Sequence, residues 1–110
     1  MIAHLLNRTL QHRRPSTVRD GGGGQHTTWL PIGAVRARVS QPGTPAEREE
    51  GDQSGADLSY PVYLAPGAGV RRGDELFDDA HVYEVLATYT PSEPIYLRAD
   101  CRRREREEET

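Results

Sequence analysis

Lysine is absent from this chain of 110 residues, and cysteine, tryptophan, methionine and phenylalanine each occur once. All 14 basic residues are therefore arginines. A GC-rich genome explains this bias more simply than a surface built to pair with carboxylates or phosphates. The single cysteine, Cys101, excludes an intramolecular disulfide and a metal site made of thiolates alone. We predict that it is a buried thiol at a strand end.

Large apolar side chains are also scarce, since Leu, Ile, Val and Phe together make up 20 of the 110 residues. This inventory predicts a single domain with a small core and long polar segments that order against partners. No apolar run approaches the roughly 18 residues of a membrane span. The first ten residues are too short and too interrupted for a signal peptide. The sequence thus predicts a soluble protein made in the cytoplasm, with no membrane partner.

The N-terminal segment permits two interpretations. Ile2, Leu5, Leu6 and Leu10 have the spacing of an amphipathic helix. Alternatively, any helix ends by residue 7 and a strand begins at Arg8. Pro15 is expected to stop either element, and the four glycines at 21–24 predict a flexible turn. A phosphate-binding loop is disfavoured there, because no GK[ST] motif and no strand-to-helix context accompany the glycines.

Strand patterns dominate the rest of the chain. In residues 27–40, Val35, Ala37 and Val39 alternate with Arg36 and Arg38, the period of a half-buried strand. Proline and glycine at 31 and 33 predict a bend or bulge before it. Further strands are predicted at residues 60–65, 75–77, 81–89 and 95–101, with a tight turn at Gly73 and Asp74 that feeds the strand at 75–77. Short strands with turn signals between them favour an all-β fold, either a small antiparallel β-barrel or a sandwich, with its core at residues 8–101.

Two charged segments fall outside this pattern. Residues 41–57 form a long polar acidic loop in which five acids against one base give −4, compared with −3 for the whole chain. Its charged side chains are Glu47, Arg48, Glu49, Glu50, Asp52 and Asp57. The other segment, residues 102–110, is a charged tail that is expected to fray after Arg102, Arg103 and Arg104 prolong the last strand.

No pattern indicates catalysis. The histidines at 4, 12, 26 and 81 lack HxxxH or HExxH spacing, so no metal or cofactor is predicted. Asp78 and Asp79 are adjacent, but neighbours in a turn usually face water rather than form a catalytic pair. The sequence predicts a protein that is not an enzyme.

Single-stranded nucleic-acid binding by a module like the OB fold is an alternative, because such barrels place aromatics between basic residues on one face. The available side chains are Tyr60, Tyr63, Tyr83, Tyr89 and Tyr96 with Arg36, Arg38, Arg71, Arg72 and Arg98. The acidic overall charge favours a different interpretation, in which the tyrosines line the core and the arginines bridge to carboxylates.

The order of features is similar to that of the head closure, or stopper, proteins in the head–tail joining family of long-tailed bacteriophages. It comprises NRTLQHRRP, a glycine-rich turn, TW before VRARV, a long polar loop, VRRGDEL, YEV and TPSEPIYL, and covers residues 7–101. The resemblance implies a structural virion protein of the phage neck, a β-barrel that forms a homo-oligomeric, dodecameric ring below the portal and adaptor. It also implies a tail-completion or tail-terminator protein below the ring and packaged double-stranded DNA passing through it. Another neck or tail-completion component is the neighbouring alternative.

On this resemblance, the loop at residues 41–57 projects into the DNA channel, closes it after packaging and moves aside at ejection. An acidic loop would repel the phosphates and let the DNA slide. Ring formation would bury the edges of a domain with a small core. The subunit alone is predicted to be monomeric, with the loop flexible and cut first by protease. Candidates for the assembly interface are Arg36, Arg38, Arg71, Arg72, Arg102, Arg103 and Arg104.

Overall fold

A computed structural model describes residues 5–19, 21–41 and 59–106, and this part of the chain folds into six antiparallel strands. In chain order they are β1 (Arg8–Arg19), β2 (Gln25–Val39), β3 (Ser59–Leu64), β4 (Glu75–Phe77), β5 (His81–Tyr89) and β6 (Leu97–Glu105). They close into a barrel in the order β1-β2-β3-β6-β5-β4. The predicted all-β antiparallel barrel is confirmed. Residues 42–57, which make up all but the first residue of the predicted acidic loop, lie outside the described residues. The described part contains no helix long and apolar enough to cross a membrane.

The barrel interior is filled by alternate residues of each strand. Leu10, Val62, Leu64, Leu76 and Tyr83 are almost fully buried. On β2 the predicted alternation is confirmed, since the valines and alanine at 35, 37 and 39 face the core while the arginines between them are exposed. The core is small, as the composition predicts, and each large side chain in it fills a substantial share of the interior.

Cys101 lies in this core with no exposed surface. Burial, with the nearby carboxylates of Asp100 and Glu84, raises the pKa of its thiol to about 12. The prediction that the thiol is buried is confirmed, but its predicted place at a strand end is wrong, because Cys101 lies in the middle of β6. The thiolate form is scarce at neutral pH.

At the N-terminus the strand interpretation is confirmed, because β1 begins at Arg8. Leu10, which would have been part of the helical stripe, pairs instead with Val35 of β2. Ile2 lies outside the described residues. Pairing with a neighbouring strand outweighs the helical spacing of a few leucines, since local propensity is a weak preference.

The expectation that Pro15 ends this element is wrong. β1 runs through Pro15, which pairs with Trp29, and continues to Arg19. Proline is accepted there because β4 pairs with β1 only as far as Arg13, so the missing N–H removes no bond to β4. The glycine-rich segment then turns the chain back into β2.

β1 and β2 therefore extend beyond the barrel as a two-stranded ribbon, residues 14–19 and 25–30. The register of the pair shifts opposite His12, where β2 has one additional residue between Pro31 and Gly33. Gly33 has φ of 147°, a conformation that favours glycine. The predicted bulge is confirmed, although the segment before it is ribbon and not core.

The two ends of the barrel differ in what they carry, because neighbouring strands run in opposite directions. The tip of the ribbon, the segment from 65 to 74 and the turn from 90 to 96 lie at one end, called the ribbon end. The start of β1, the end of β6 and the residues that flank the acidic loop, Val39 and Ser59, lie at the opposite end, called the loop end.

The last strand begins at Leu97, two residues later than predicted, and the part of the tail up to Glu105 belongs to it.

Replacing Leu64 by alanine should lower the free energy of unfolding by about 2–5 kcal/mol, because it leaves a cavity in the core. The matched control is Leu86→Ala on β5, whose side chain is 40% exposed. It should change stability by no more than about 0.5 kcal/mol. Urea unfolding of the purified protein measures both; equal losses in the two variants would contradict the assignment of the core.

Candidate functional site

A buried carboxylate, Asp74, ties the turn before β4 to β1. Its Oδ2 lies 2.7 Å from His12 Nε2 and accepts a hydrogen bond of 2.9 Å from the backbone N–H of Arg71. The guanidinium of Arg14 donates to both oxygens, from Nε at 3.0 Å and from Nη2 at 2.9 Å. The side chains of His12 and Asp74 are 1% and 2% exposed. These groups, called the Asp74 cluster, satisfy a charge that would otherwise be costly to bury.

The turn that presents Asp74 follows from its glycine. Gly73 has φ of 93°, and its N–H donates to Val85 O at 2.9 Å. The Asp74 N–H donates to Arg71 O at 3.0 Å. Gly73 and Asp74 thus form the tight turn that the sequence predicts, feeding directly into β4. The sequence did not indicate that its carboxylate is the partner of His12 and Arg14.

The protonation state of Asp74 is set by opposing effects. Burial pushes its pKa upward, but the hydrogen bonds from Arg14, His12 and the Arg71 N–H together outweigh it, so the pKa lies below its usual range. The hydrogen bonding between Arg14 and Asp74 also raises the pKa of the Arg14 guanidinium. Both groups are charged at neutral pH, and the cluster works as an ion pair.

A second charged group lies next to the Asp74 cluster on the outer surface. Glu75 accepts hydrogen bonds from Arg13 Nε at 2.9 Å and from Arg104 Nη2 at 3.0 Å. The Arg13 guanidinium also lies over the rings of Trp29, at 5.0 Å, and Phe77, at 4.4 Å. Arg104, predicted as an interface residue, therefore joins β6 to β4 within the subunit.

The other predicted interface arginines divide into two sets. Three are used within the chain: Arg36 donates to Thr9 Oγ1 and Leu6 O, Arg102 to Glu84 Oε1, and Arg103 lies over the ring of Tyr60. In the other set, Arg38, Arg71 and Arg72 are exposed, and their guanidinium groups form no ion pair with a described residue. These last three side chains are available for contacts with another molecule. The charged loop residues at 47–50, 52 and 57 lie outside the described residues.

The tyrosines do not form a platform for stacked bases. Tyr83 is fully buried, and Tyr60 packs edge-on against it. Tyr63 and Tyr96 form a second edge-on pair, while Tyr89 lies beneath Arg98. Tyr60, Tyr63, Tyr83 and Tyr96 therefore pack within the chain, and only Tyr89 of the five is largely exposed. The row of exposed aromatics expected of an OB-like nucleic-acid module is not present in the described part.

The adjacent acids Asp78 and Asp79 lie in different environments. Asp78 accepts bonds from the N–H groups of Ala80 and His81 and from Arg8. Burial alone would raise the pKa of Asp78, but these hydrogen bonds outweigh burial and hold the pKa below its usual range. Asp79 is exposed. Asp78 stabilises the β4–β5 turn, so the two acids form no catalytic pair. No cluster of three potential metal ligands occurs among the described residues.

The glycine-rich turn connects two antiparallel strands, so the alternative of a phosphate-binding loop before a helix is wrong. Sequence reasoning also missed the exposure of the ribbon. Trp29 and Ile32 add apolar side chains to the segment before the regular strand, but they are 38% and 47% exposed, and Leu30 is 50% exposed. The one signal that could have revealed this was the lack of strict alternation before residue 33.

Comparison with known proteins finds similarity to one family and to solved structures. The family described as phage head completion protein matches residues 1–104. The solution structure of a protein from Shigella flexneri 2a is similar in fold, with a TM-score of 0.70 at 12% identity, over 88% of this chain and 91% of that one. A chain in the virion of a native gene transfer agent particle has a TM-score of 0.61 at 25% identity, over 91% and 94%. No match is found among proteins of curated function.

Asp74→Ala should lower the free energy of unfolding by about 3–5 kcal/mol at neutral pH, because it leaves His12 and Arg14 without their buried partner. Since the folded pKa of Asp74 is depressed, its contribution is complete above the unfolded value of about 3.9 and is lost as the pH falls through the folded pKa. The difference between wild type and variant should therefore shrink on acidification. Urea unfolding at several pH values measures it. Exposed Asp79→Ala is the control; an equal loss there, or a difference independent of pH, would contradict the role of the cluster.

Proposed function

Because the chain belongs to the phage head completion protein family, we propose that it is a structural, non-enzymatic protein of the virion neck that joins head to tail and closes the DNA channel. The observation that carries this proposal is the family match over nearly the whole chain, on a closed six-stranded barrel. The similarity to a chain of a gene transfer agent virion supports a place in an assembled particle.

In the proposed assembly the subunit forms a homo-oligomeric, dodecameric ring. An adaptor lies above it, a tail-completion or tail-terminator protein below it, and double-stranded DNA passes through it. The separation of the barrel ends suits this arrangement. The residues flanking the acidic loop lie with the start of β1 and the end of β6 at the loop end, whereas the ribbon projects from the other. One subunit thereby offers different surfaces to different neighbours.

The acidic loop is proposed to face the DNA. Residues 41–57 carry five acids and Arg48, a charge of −4 per subunit. Repeated around a ring, this charge repels phosphates and disfavours adhesion of the DNA during ejection. This charge is the largest net negative charge of any segment that connects two strands of the barrel.

The proposed position is tested by electron microscopy of particles that carry a tagged copy of the protein. Density for the tag is expected at the neck, and deletion of the gene should yield separate heads and tails that join when the gene is supplied in trans. A tag located elsewhere on the particle, or tailed particles formed without the gene, would overturn the proposal.

The proposed role of the loop charge predicts slower DNA ejection when Glu47, Glu49 and Glu50 are all replaced by glutamine. Ejection kinetics of assembled particles measure the effect, which should shrink near 1 M salt, where the screening length falls to about 3 Å. The matched control replaces the tail acids Glu107, Glu108 and Glu109 by glutamine, the same change in charge. Equal kinetics for both triple variants would argue against a loop in the channel.

A further inference from the structure

The exposed large apolar side chains of the described part fall into two groups, apart from Leu5 near the N-terminus. On and beside the ribbon are Val18, Trp29, Leu30 and Ile32. The second group, called the β5–β6 patch, consists of Leu86, Tyr89 and Ile95, which are 40%, 54% and 57% exposed. Neither group has a covering element among the described residues, and exposed apolar groups of this kind mark interaction surfaces.

The ribbon is incomplete as an isolated structure. Within the described part, β4 accompanies β1 only at Gln11–Arg13, and β3 accompanies β2 only at Ala37–Val39. Its residues alternate between two faces, with Trp29 on one face and Leu30 on the other. A two-stranded hairpin is marginally stable in water on its own. A ribbon with apolar side chains on both faces gains stability when another surface covers it.

The two groups occupy opposite sides of the same barrel. In the closed strand order, β2 and β5 are separated by two strands in either direction. The ribbon and the turn between β5 and β6 also lie at the same end. A subunit with complementary surfaces on opposite sides makes head-to-tail contacts, which close into a ring when the rotation allows it.

Charge complements the apolar contact. Arg19 lies at the tip of the ribbon, and Glu93 lies in the turn beside Ile95. Neither side chain forms an ion pair with a described residue. The two strands of the ribbon carry two arginines, Arg14 and Arg19, and Arg14 already forms an ion pair with Asp74. That density of positive charge is too low for a nucleic acid and favours a protein surface of matching composition.

We propose that the ribbon of one copy docks on the β5–β6 patch of the next copy through the face that carries Leu30, with Leu30 and Ile32 against Leu86, Tyr89 and Ile95. Arg19 pairs with Glu93 across this contact. The inference rests on the proposed ring and names the surfaces that build it. The Asp74 cluster holds β1 against the turn before β4 and so fixes the direction in which the ribbon leaves the barrel.

Cysteine crosslinking in assembled particles tests this contact. The double variant L30C/I95C, treated with a short bismaleimide, should give a ladder of covalent multimers on denaturing gels. Cys101 gives no background, because it is buried and its pKa is about 12. L30C and I95C alone should give no ladder, since a head-to-tail contact keeps like positions apart. The matched control is R38C/I95C, which moves the first cysteine to the far end of β2.

The outcomes separate the contact from the function. Particles that contain L30C/I95C but yield no ladder overturn the contact and leave the neck role standing. Absence of the wild-type protein from particles overturns the neck role itself. A covalent dimer from L30C alone indicates that two ribbons meet each other, which also overturns the proposal.

Charge reversal provides a second measurement. R19E and E93R should each reduce incorporation into particles, and R19E/E93R should restore it. Thermal unfolding of the purified variants checks that each folds as the wild type does. A double variant no better than the single variants would contradict the pairing of Arg19 with Glu93.

Discussion

The buried ion pair between Asp74 and Arg14, extended to His12, is the interaction on which the rest of the structure depends. β4 has only three residues, and only three residue pairs join it to β1. The buried carboxylate of Asp74, with its four hydrogen-bonding contacts, binds the turn before β4 to β1, where the ladder has only three residue pairs. Removing one member leaves the others charged or polar in a dry environment, which is why such clusters are maintained as a unit.

Closure at this point has consequences at both ends of the barrel. Because β3 and β4 are short, β1 and β2 extend beyond the strands that pair with them and leave the barrel as a ribbon. The same closure brings the ends of β2 and β6 to the opposite end, where the acidic segment departs and the charged tail begins. A single small domain thereby presents an apolar projection on one side and charged segments on the other. A protein that must contact several different neighbours in an assembly requires this division of its surface.

The small core is consistent with a subunit that is completed by its neighbours. Its side chains fill one barrel, and none of the described elements covers the ribbon. Most of the arginines in the described part pair with carboxylates or stack on aromatic rings of the same chain. Guanidinium groups suit this role, since their planar forks bind carboxylates in fixed geometry and stack on rings. The exposed side chains of the described part that lack such partners include a few apolar ones and Arg38, Arg71 and Arg72.

Local patterns by themselves determined much of the fold. The alternation of Val35, Ala37 and Val39, the turn at Gly73 and Asp74 and the bulge at Gly33 depend on backbone geometry within a few residues, and each was predictable from the chain. Only the tertiary structure decided which carboxylate accepts the charge of Arg14, and that Trp29, Leu30 and Ile32 lie outside the core. Burial on a strand depends on how far the neighbouring strands accompany it. The short lengths of β3 and β4 set how far β1 and β2 are accompanied. Both strands are far in the sequence from Trp29, Leu30 and Ile32, so no local pattern around these residues indicates their exposure.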